Sequence, residues 1–142
     1  MKRVYVNEEW CLGCHLCEYN CAFANSGISD MVKALKGKKI FPRIVVDSDN
    51  KINFAVSCRH CQDPLCVKSC ISGALHIDEK RVVIDSSKCV GCLSCIMVCP
   101  YGALSVSENG IAQKCELCLE NACQQPACVM GCPNRAIVYE QR

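Results

Sequence analysis

The sequence predicts an α+β fold in which short strands and short helical turns are arranged as two tandem modules. Three observations predict it. Seventeen cysteines occur in 142 residues, and sixteen of them sort into four sets along the chain, leaving Cys123 over. Between the sets, the chain reads as brief β-branched segments bounded by turn residues. Aromatic residues make up only 6% and the apolar runs are short, so a conventional apolar core is not what holds the chain together.

The first set, Cys11, Cys14, Cys17 and Cys21, reads CLGCHLCEYNC, and the third, Cys89, Cys92, Cys95 and Cys99, reads CVGCLSCIMVCP. Both have the C-x2-C-x2-C-x3-C spacing of bacterial ferredoxins, in which three thiolates hold one [4Fe-4S] cluster and the fourth ligates its neighbour. The second set, Cys58, Cys61, Cys66 and Cys70, has two residues inserted before its third cysteine. The fourth, Cys115, Cys118, Cys128 and Cys132, has a longer insertion at the same place. Structural zinc is the alternative for any isolated CxxC pair. Three cysteines each three apart line one loop and suit three corners of a cubane better than a single ion. In the fourth set Cys123 matches the spacing of Cys66 from Cys58, whereas Cys128-x3-Cys132-Pro133 reproduces the end of the third set. Cys128 is therefore taken as the ligand and Cys123 as a spare thiol.

Taken in order, strands are expected at Val4 to Val6, Arg43 to Asp47, Ile52 to Val56, Leu75 to Asp78, Arg81 to Asp85, Leu104 to Val106 and Ala136 to Tyr139. Asp78-Glu79-Lys80 and Glu108-Asn109-Gly110 are expected to be hairpin turns. A short helical turn is expected after the third cysteine of each set, Leu93 to Val98 for example, ending at Pro100 or Pro133 where proline is present. Strand, cysteine loop, short helix and strand form a ferredoxin-like unit. Its repetition gives tandem ferredoxin-like dicluster modules around four [4Fe-4S] clusters, all within one domain of 142 residues.

Composition narrows the function. MKRVYVNEEW has two basic residues but no apolar h-region and no small-residue cleavage site, so no signal peptide is expected. A reducing cytoplasm, in a cell living with little oxygen, is the expected setting for so many free thiols. No apolar stretch approaches the roughly 20 residues of a membrane span. A net charge of +2 does not argue for nucleic acid. Nothing in the sequence resembles a phosphate cradle, a flavin site or a nucleophile with its base, so no catalytic residue is assigned.

Several non-cysteine residues bear on the sites. Gly13 and Gly91 sit between ligands, where either a tight turn or a close amide approach to sulfur would call for glycine. Leu12, Ile28, Leu65, Val67, Val90, Ile96, Val98 and Val129 are expected to shield clusters from water. His15 and His60 lie inside the loops and are read as surface or supporting residues, His76 as a packing residue, and Asp47, Asp49 and Asp78 as turn residues. Lys33, Lys36, Lys38, Lys39 and Arg43 make the ligand-free stretch 25–57 basic, either as a solvated loop or as a docking surface for an acidic redox partner.

Spacing alone leaves open whether the third set pairs with the second or the fourth, and disfavours pairing the first with the second. The four runs WCLGCHLCEYNCAFANSG, CRHCQDPLCVKSCISGALHID, CVGCLSCIMVCPYGAL and CELCLENACQQPACVMGCPNRAIVYE resemble the four-cluster iron-sulfur subunits of anaerobic molybdenum, tungsten and nickel oxidoreductases. Within that group they are most similar to the CooF-type subunits that take electrons from carbon monoxide dehydrogenase. The resemblance implies a nested pairing: Cys11, Cys14, Cys17 with Cys132; Cys115, Cys118, Cys128 with Cys21; Cys58, Cys61, Cys66 with Cys99; and Cys89, Cys92, Cys95 with Cys70. The inner module would span about 58–99, and the outer one 1–24 plus 100–142. It also implies a non-catalytic electron carrier between a metal-active-site oxidoreductase and a flavoprotein, hydrogenase or ferredoxin. Formate dehydrogenases and aldehyde oxidoreductases have similar subunits, and a structural or regulatory zinc protein is the alternative from another class. The sequence departs from the ferredoxin pattern at Ala22 and Ile71, where proline is common after the fourth cysteine.

Anaerobically reconstituted chain is expected to bind about 16 iron and 16 sulfide, one cubane per set, and Cys123→Ser to bind the same amount. Iron and sulfide analysis checks this; a plateau at half that value would remove two sites.

Overall fold

A computed structural model describes residues 1–119 and 124–142; Cys123 lies outside the described residues. Among the described residues eight strands form four separate two-stranded antiparallel sheets: β1 (Arg3–Val6) with β8 (Ile137–Glu140), β2 (Val45–Asp49) with β3 (Ile52–Val56), β4 (Leu75–Asp78) with β5 (Arg81–Ile84), and β6 (Leu104–Val106) with β7 (Ala112–Lys114). Two-stranded ribbons have little stability of their own, so each depends on the loops and helices packed beside it.

The β4–β5 ribbon turns through Glu79 and Lys80, both at positive φ, as a two-residue hairpin of the twist-compatible kind requires. The β6–β7 connection closes at Gly110, whose N–H donates to the Ser107 carbonyl. Strand β2 begins two residues later than Arg43, and Asp47 pairs with Phe54 within it instead of forming a turn. Strand β7 and helix α2 (Met31–Leu35) have no counterpart in the sequence reading. Helix α2 starts at Asp30, whose carboxylate accepts from the N–H groups of Val32 and Lys33, a standard acidic N-cap.

The other helices repeat one device. α1 (Leu16–Ala24), α3 (Leu65–Ser69), α4 (Ser94–Val98) and α5 (Ala127–Met130) each begin one residue before the third cysteine of their set, so the helix carries that cysteine instead of following it. The two sets with insertions enter the helix from Pro64 and Pro126. The two compact sets enter from His15 and Leu93 in the left-handed region. Helix α1 packs on α5 and α3 on α4, so the first set lies against the fourth and the second against the third.

Two cores follow this division. Val4, Cys17, Cys21, Ile44, Val46, Ala55, Leu117, Cys128 and Ile137 belong to one, which also takes in Cys58 and Cys115. Leu75, Val82, Cys95, Leu104 and Ala112 form the other. The ligand-free stretch joins the first core through Ile44, Val46 and Ala55. It is fastened by the Val46 N–H to Glu18 Oε1 at 2.7 Å and by Gln113 Nε2, which donates to the carbonyl of Phe41 at 3.1 Å.

Ala22 explains why α1 alone continues past its fourth cysteine: no proline stops it, and the helix runs on to Ala24. Helix α3 stops at Ser69 without one, because Cys70 is already extended (φ −74°, ψ 106°), a conformation compatible with a following proline. Ala22→Pro is therefore expected to cost about 3 kcal/mol, and Ile71→Pro less than about 1 kcal/mol. Thermal midpoints of the two reconstituted variants check the contrast.

Candidate metal centres

The residue just before the second cysteine of every set is left-handed: Gly13 (φ 66°), His60 (φ 46°), Gly91 (φ 74°) and Leu117 (φ 68°). This turn lets the loop curl so that both cysteines face the same space. At His60 and Leu117 the residue's own N–H points back to the first sulfur of the set, 3.4 Å from Cys58 Sγ and 3.4 Å from Cys115 Sγ. Only two of the four positions carry glycine. His60 and Leu117 accept roughly 1–2 kcal/mol of left-handed strain each and offset it by full burial. At Gly13 a side chain would also meet Asn53, whose Oδ1 would lie 2.7 Å from an added Cβ.

The cysteines gather across sets. Cys11, Cys14, Cys17 and Cys132 line one small cavity, together with Pro133 and Ile137. Cys70, Cys89, Cys92 and Cys95 line a second, with Leu75 and Ala112. Cys21, Cys115 and Cys118 line a third, open to about 280 Å³ and walled by Arg43 and Glu116. The buried Cys128 feels the charges of Cys115, Cys21, Cys118 and Cys17. Cys66 feels Cys58 and Cys99, and Cys58 feels Cys61.

Burial makes most of these thiols poor acids. Desolvation pushes Cys17 and Cys115 up to about 12 and Cys66 up to about 11, and raises Cys128, Cys21, Cys58 and Cys95 as well. Amide donors oppose it at several sulfurs. The N–H of Arg43 reaches Cys21 Sγ at 3.2 Å, and that of Leu75 reaches Cys70 Sγ at 3.5 Å. Cys70 is modestly buried, yet the Leu75 N–H and the Ser72 hydroxyl outweigh that burial and lower its pKa. Cys92 is lowered by the N–H and hydroxyl of Ser94.

This donor set fits iron-sulfur clusters. A thiol held in apolar surroundings becomes a thiolate only if a cation replaces the lost water, and iron does so. One orphaned atom fits too. Burial pushes the His60 pKa down to about 3, with the Lys114 charge adding to the effect, so the ring is neutral. Its Nδ1 accepts from the Val82 N–H at 3.1 Å, which places the proton on Nε2. That buried Nε2–H has no partner among the described residues, and a cluster sulfur beside Cys58 and Cys61 would supply one.

His15 is exposed and binds Glu18, and His76 is exposed with Nδ1 near the Ala74 carbonyl. Among the expected shields, Leu12, Ile28, Leu65, Val90 and Val98 are exposed, Leu12 to 63% and Val90 to 67%. Burial in the core falls instead to Val67, Ile96 and Val129, in part, and to Leu75, Leu117 and Ile137, which the sequence reading did not single out. Lys33, Lys36, Lys38 and Lys39 are exposed, whereas Arg43 is tied to Glu116 at 3.6 Å. Lys38 and Lys39 border an open groove of about 630 Å³ with Phe41 and Glu108.

Fold, cysteine spacing and thiol environment together define an iron-sulfur electron-transfer subunit of the kind that serves oxidoreductases. The 4Fe-4S dicluster domain family matches residues 50–142, and the chain belongs to it. It is 36% identical to an iron-sulfur protein of Rhodospirillum rubrum, over 94% of this chain and 79% of that one. It is 34% identical to the B subunit of the anaerobic dimethyl sulfoxide reductase of Escherichia coli, over 95% of this chain and 71% of that one. Among solved structures, a subunit of the active site complex BamBC of benzoyl coenzyme A reductase shares the fold over 100% of this chain and 80% of its own. The TM-score is 0.52 and the identity 18%.

Replacing Cys21 or Cys118 by alanine is expected to remove the same low-temperature EPR signal, and replacing Cys70 or Cys92 a different one. If Cys21→Ala instead loses the signal lost by Cys61→Ala, the pairing has to be redrawn.

Proposed function

We propose that the chain relays single electrons through four [4Fe-4S] clusters between a metal-active-site oxidoreductase, carbon monoxide dehydrogenase being favoured, and a flavoprotein, hydrogenase or ferredoxin. The observation that carries the relay is the gathering of each set's cysteines with one from another set. The ligands are Cys11, Cys14, Cys17 with Cys132; Cys115, Cys118, Cys128 with Cys21; Cys58, Cys61, Cys66 with Cys99; and Cys89, Cys92, Cys95 with Cys70. The outer pair belongs to residues 1–24 and 100–142, the inner pair to 58–99, and 25–57 is the insertion that packs on the outer pair.

The clusters, when bound, supply one-electron chemistry; the chain holds, shields and tunes them. The charge of Cys58 acts on Cys115, which supports reading their centres as neighbours, with the Cys11 and Cys89 sets at the two ends. The end sets carry the exposed thiols of Cys14 and Cys92, where partners can approach most closely. A partner that oxidises CO with water to carbon dioxide and protons releases an electron pair, which the subunit accepts one electron at a time.

Support for the CO branch is the wording of the four cysteine runs. The likeness to a subunit of a reductase favours the second reading, a tungsten or molybdenum aldehyde oxidoreductase or formate dehydrogenase partner. Among the described residues no helix is long and apolar enough to cross a membrane; the reducing cytoplasm is the proposed setting for so many free thiols.

Alone, the protein is expected to cycle with dithionite and dyes but to turn over neither CO, formate, hydrogen nor NADH. With carbon monoxide dehydrogenase from the same cell it is expected to be bleached on adding CO, more slowly at high salt if the exposed lysines steer docking. Reduction only with a formate or aldehyde enzyme would leave the relay and remove the CO assignment. Turnover by the isolated chain would contradict both.

A further inference from the structure

Lys114 is fully buried, although it ends an ordinary strand and carries a charge. Its Nζ donates to the carbonyl of Val82, in β5, and to the carbonyl of Cys115 at 2.6 Å. The first contact ties β7, at the edge of the fourth set, to the hairpin between the second and third. The charge of the same ammonium acts on Cys58, Cys66 and Cys115. Among the described residues it has no carboxylate partner within ion-pair distance. A buried ammonium is costly without a counter-charge, and the ligand thiolates of the second and fourth sets would supply one with clusters bound.

We propose that Lys114 is a fixed positive charge at the junction of the two modules that raises the reduction potentials of the centres built on Cys58 and Cys115. Reduction adds one negative charge to a centre, and a desolvated cation beside it favours that form. Lys114 thereby sets how readily an electron crosses between modules: the centre that gives up the electron is oxidised, the one that receives it is reduced, and no bond or proton changes hands. Lys114 positions charge and ligates nothing. The inference rests on the ligand sets proposed above.

The test is an EPR-monitored redox titration of the full chain, reconstituted anaerobically with iron and sulfide. Cys58→Ser, Cys115→Ser, Cys11→Ser and Cys89→Ser first assign the signals. A wrong ligand set therefore shows itself in the missing signals before any lysine variant is read. In Lys114→Gln, which keeps a donor but loses the charge, the Cys58 and Cys115 centres are expected to shift down. At a fixed potential their oxidised-to-reduced ratio should rise about tenfold or more, or about 59 mV for a one-electron couple. The Cys11 and Cys89 centres should move less than about threefold, and Lys114→Arg should stay within about threefold of the parent throughout. Unshifted potentials in a Gln variant with full iron content would overturn the proposal, as would an equal shift of all four centres. If Lys114→Gln does not hold iron, Lys114→Met, similar in length and uncharged, replaces it. If neither holds iron, Lys114→Arg decides. Full iron at the parent potentials supports the need for charge; lowered potentials, or loss of iron in that variant too, count against it.

Discussion

A buried thiolate is an unstable object, and this protein buries many. Cys17, Cys115 and Cys128 lie almost wholly inside, where loss of water, joined by neighbouring negative charges, makes them much weaker acids than an ordinary thiol. Without metal the folded chain would have to keep these groups protonated and leave the spaces between them unfilled. With iron the same burial becomes an advantage, because a low-dielectric surround strengthens each thiolate-iron contact and keeps water from the sulfurs. Folding and cluster assembly are thus one equilibrium, as they are in small zinc domains. The four ribbons and five short helices, none of them stable alone, are sufficient because the clusters join what the chain keeps apart in sequence.

That requirement reaches down to single dihedral angles. The left-handed residue before each second cysteine is a backbone rule that the chain satisfies with Gly13, His60, Gly91 and Leu117. Where glycine is used, strain is avoided. Where it is not, the larger side chain serves a second purpose, since Leu117 fills the outer core and His60 accepts the Val82 N–H and so anchors β5. Gly13 and Gly91 make the tight turn, and the amide aimed at sulfur is seen at His60 and Leu117.

How much of this was legible follows from where the signal lay. Strands β1, β3, β4 and β6 were readable because Val, Ile and Leu recur between turn residues. Strand β7 was not, since Ala112, Gln113 and Lys114 present no apolar alternation. All three are buried, and the polar two find internal partners: Gln113 on Phe41 and Ser105, Lys114 on Val82 and Cys115. Burial of that kind depends on groups far away in sequence, which no local pattern records. The left-handed positions are an intermediate case. Aligning the four CxxC pairs puts His60 and Leu117 in register with the two glycines, but the side chains themselves argue against positive φ. The apolar shields were legible in part: Leu12 and Val90 line the cysteine cavities but stay largely exposed, while the buried walls come from Val46, Leu75, Ala112 and Ile137, none of which adjoins a ligand in sequence.

The junction between the modules is where structure and charge are hardest to separate. Glu116 accepts the Ile84 N–H, pairs with Arg43 and, through its carbonyl, takes a hydrogen bond from Arg81. Arg43 in turn directs its own N–H to Cys21. Two residues before Glu116, Lys114 reaches Val82, and one residue earlier still Gln113 holds the ligand-free stretch. Three side chains within four residues thus fasten the inner hairpin, the insertion and the fourth cysteine set to one another. The contacts that fix the distance between neighbouring centres are the same ones that place charge and amide dipoles beside them. An electron carrier has few variables, how far an electron travels and at what potential each step waits, and both would depend on the junction that Gln113, Lys114 and Glu116 hold together.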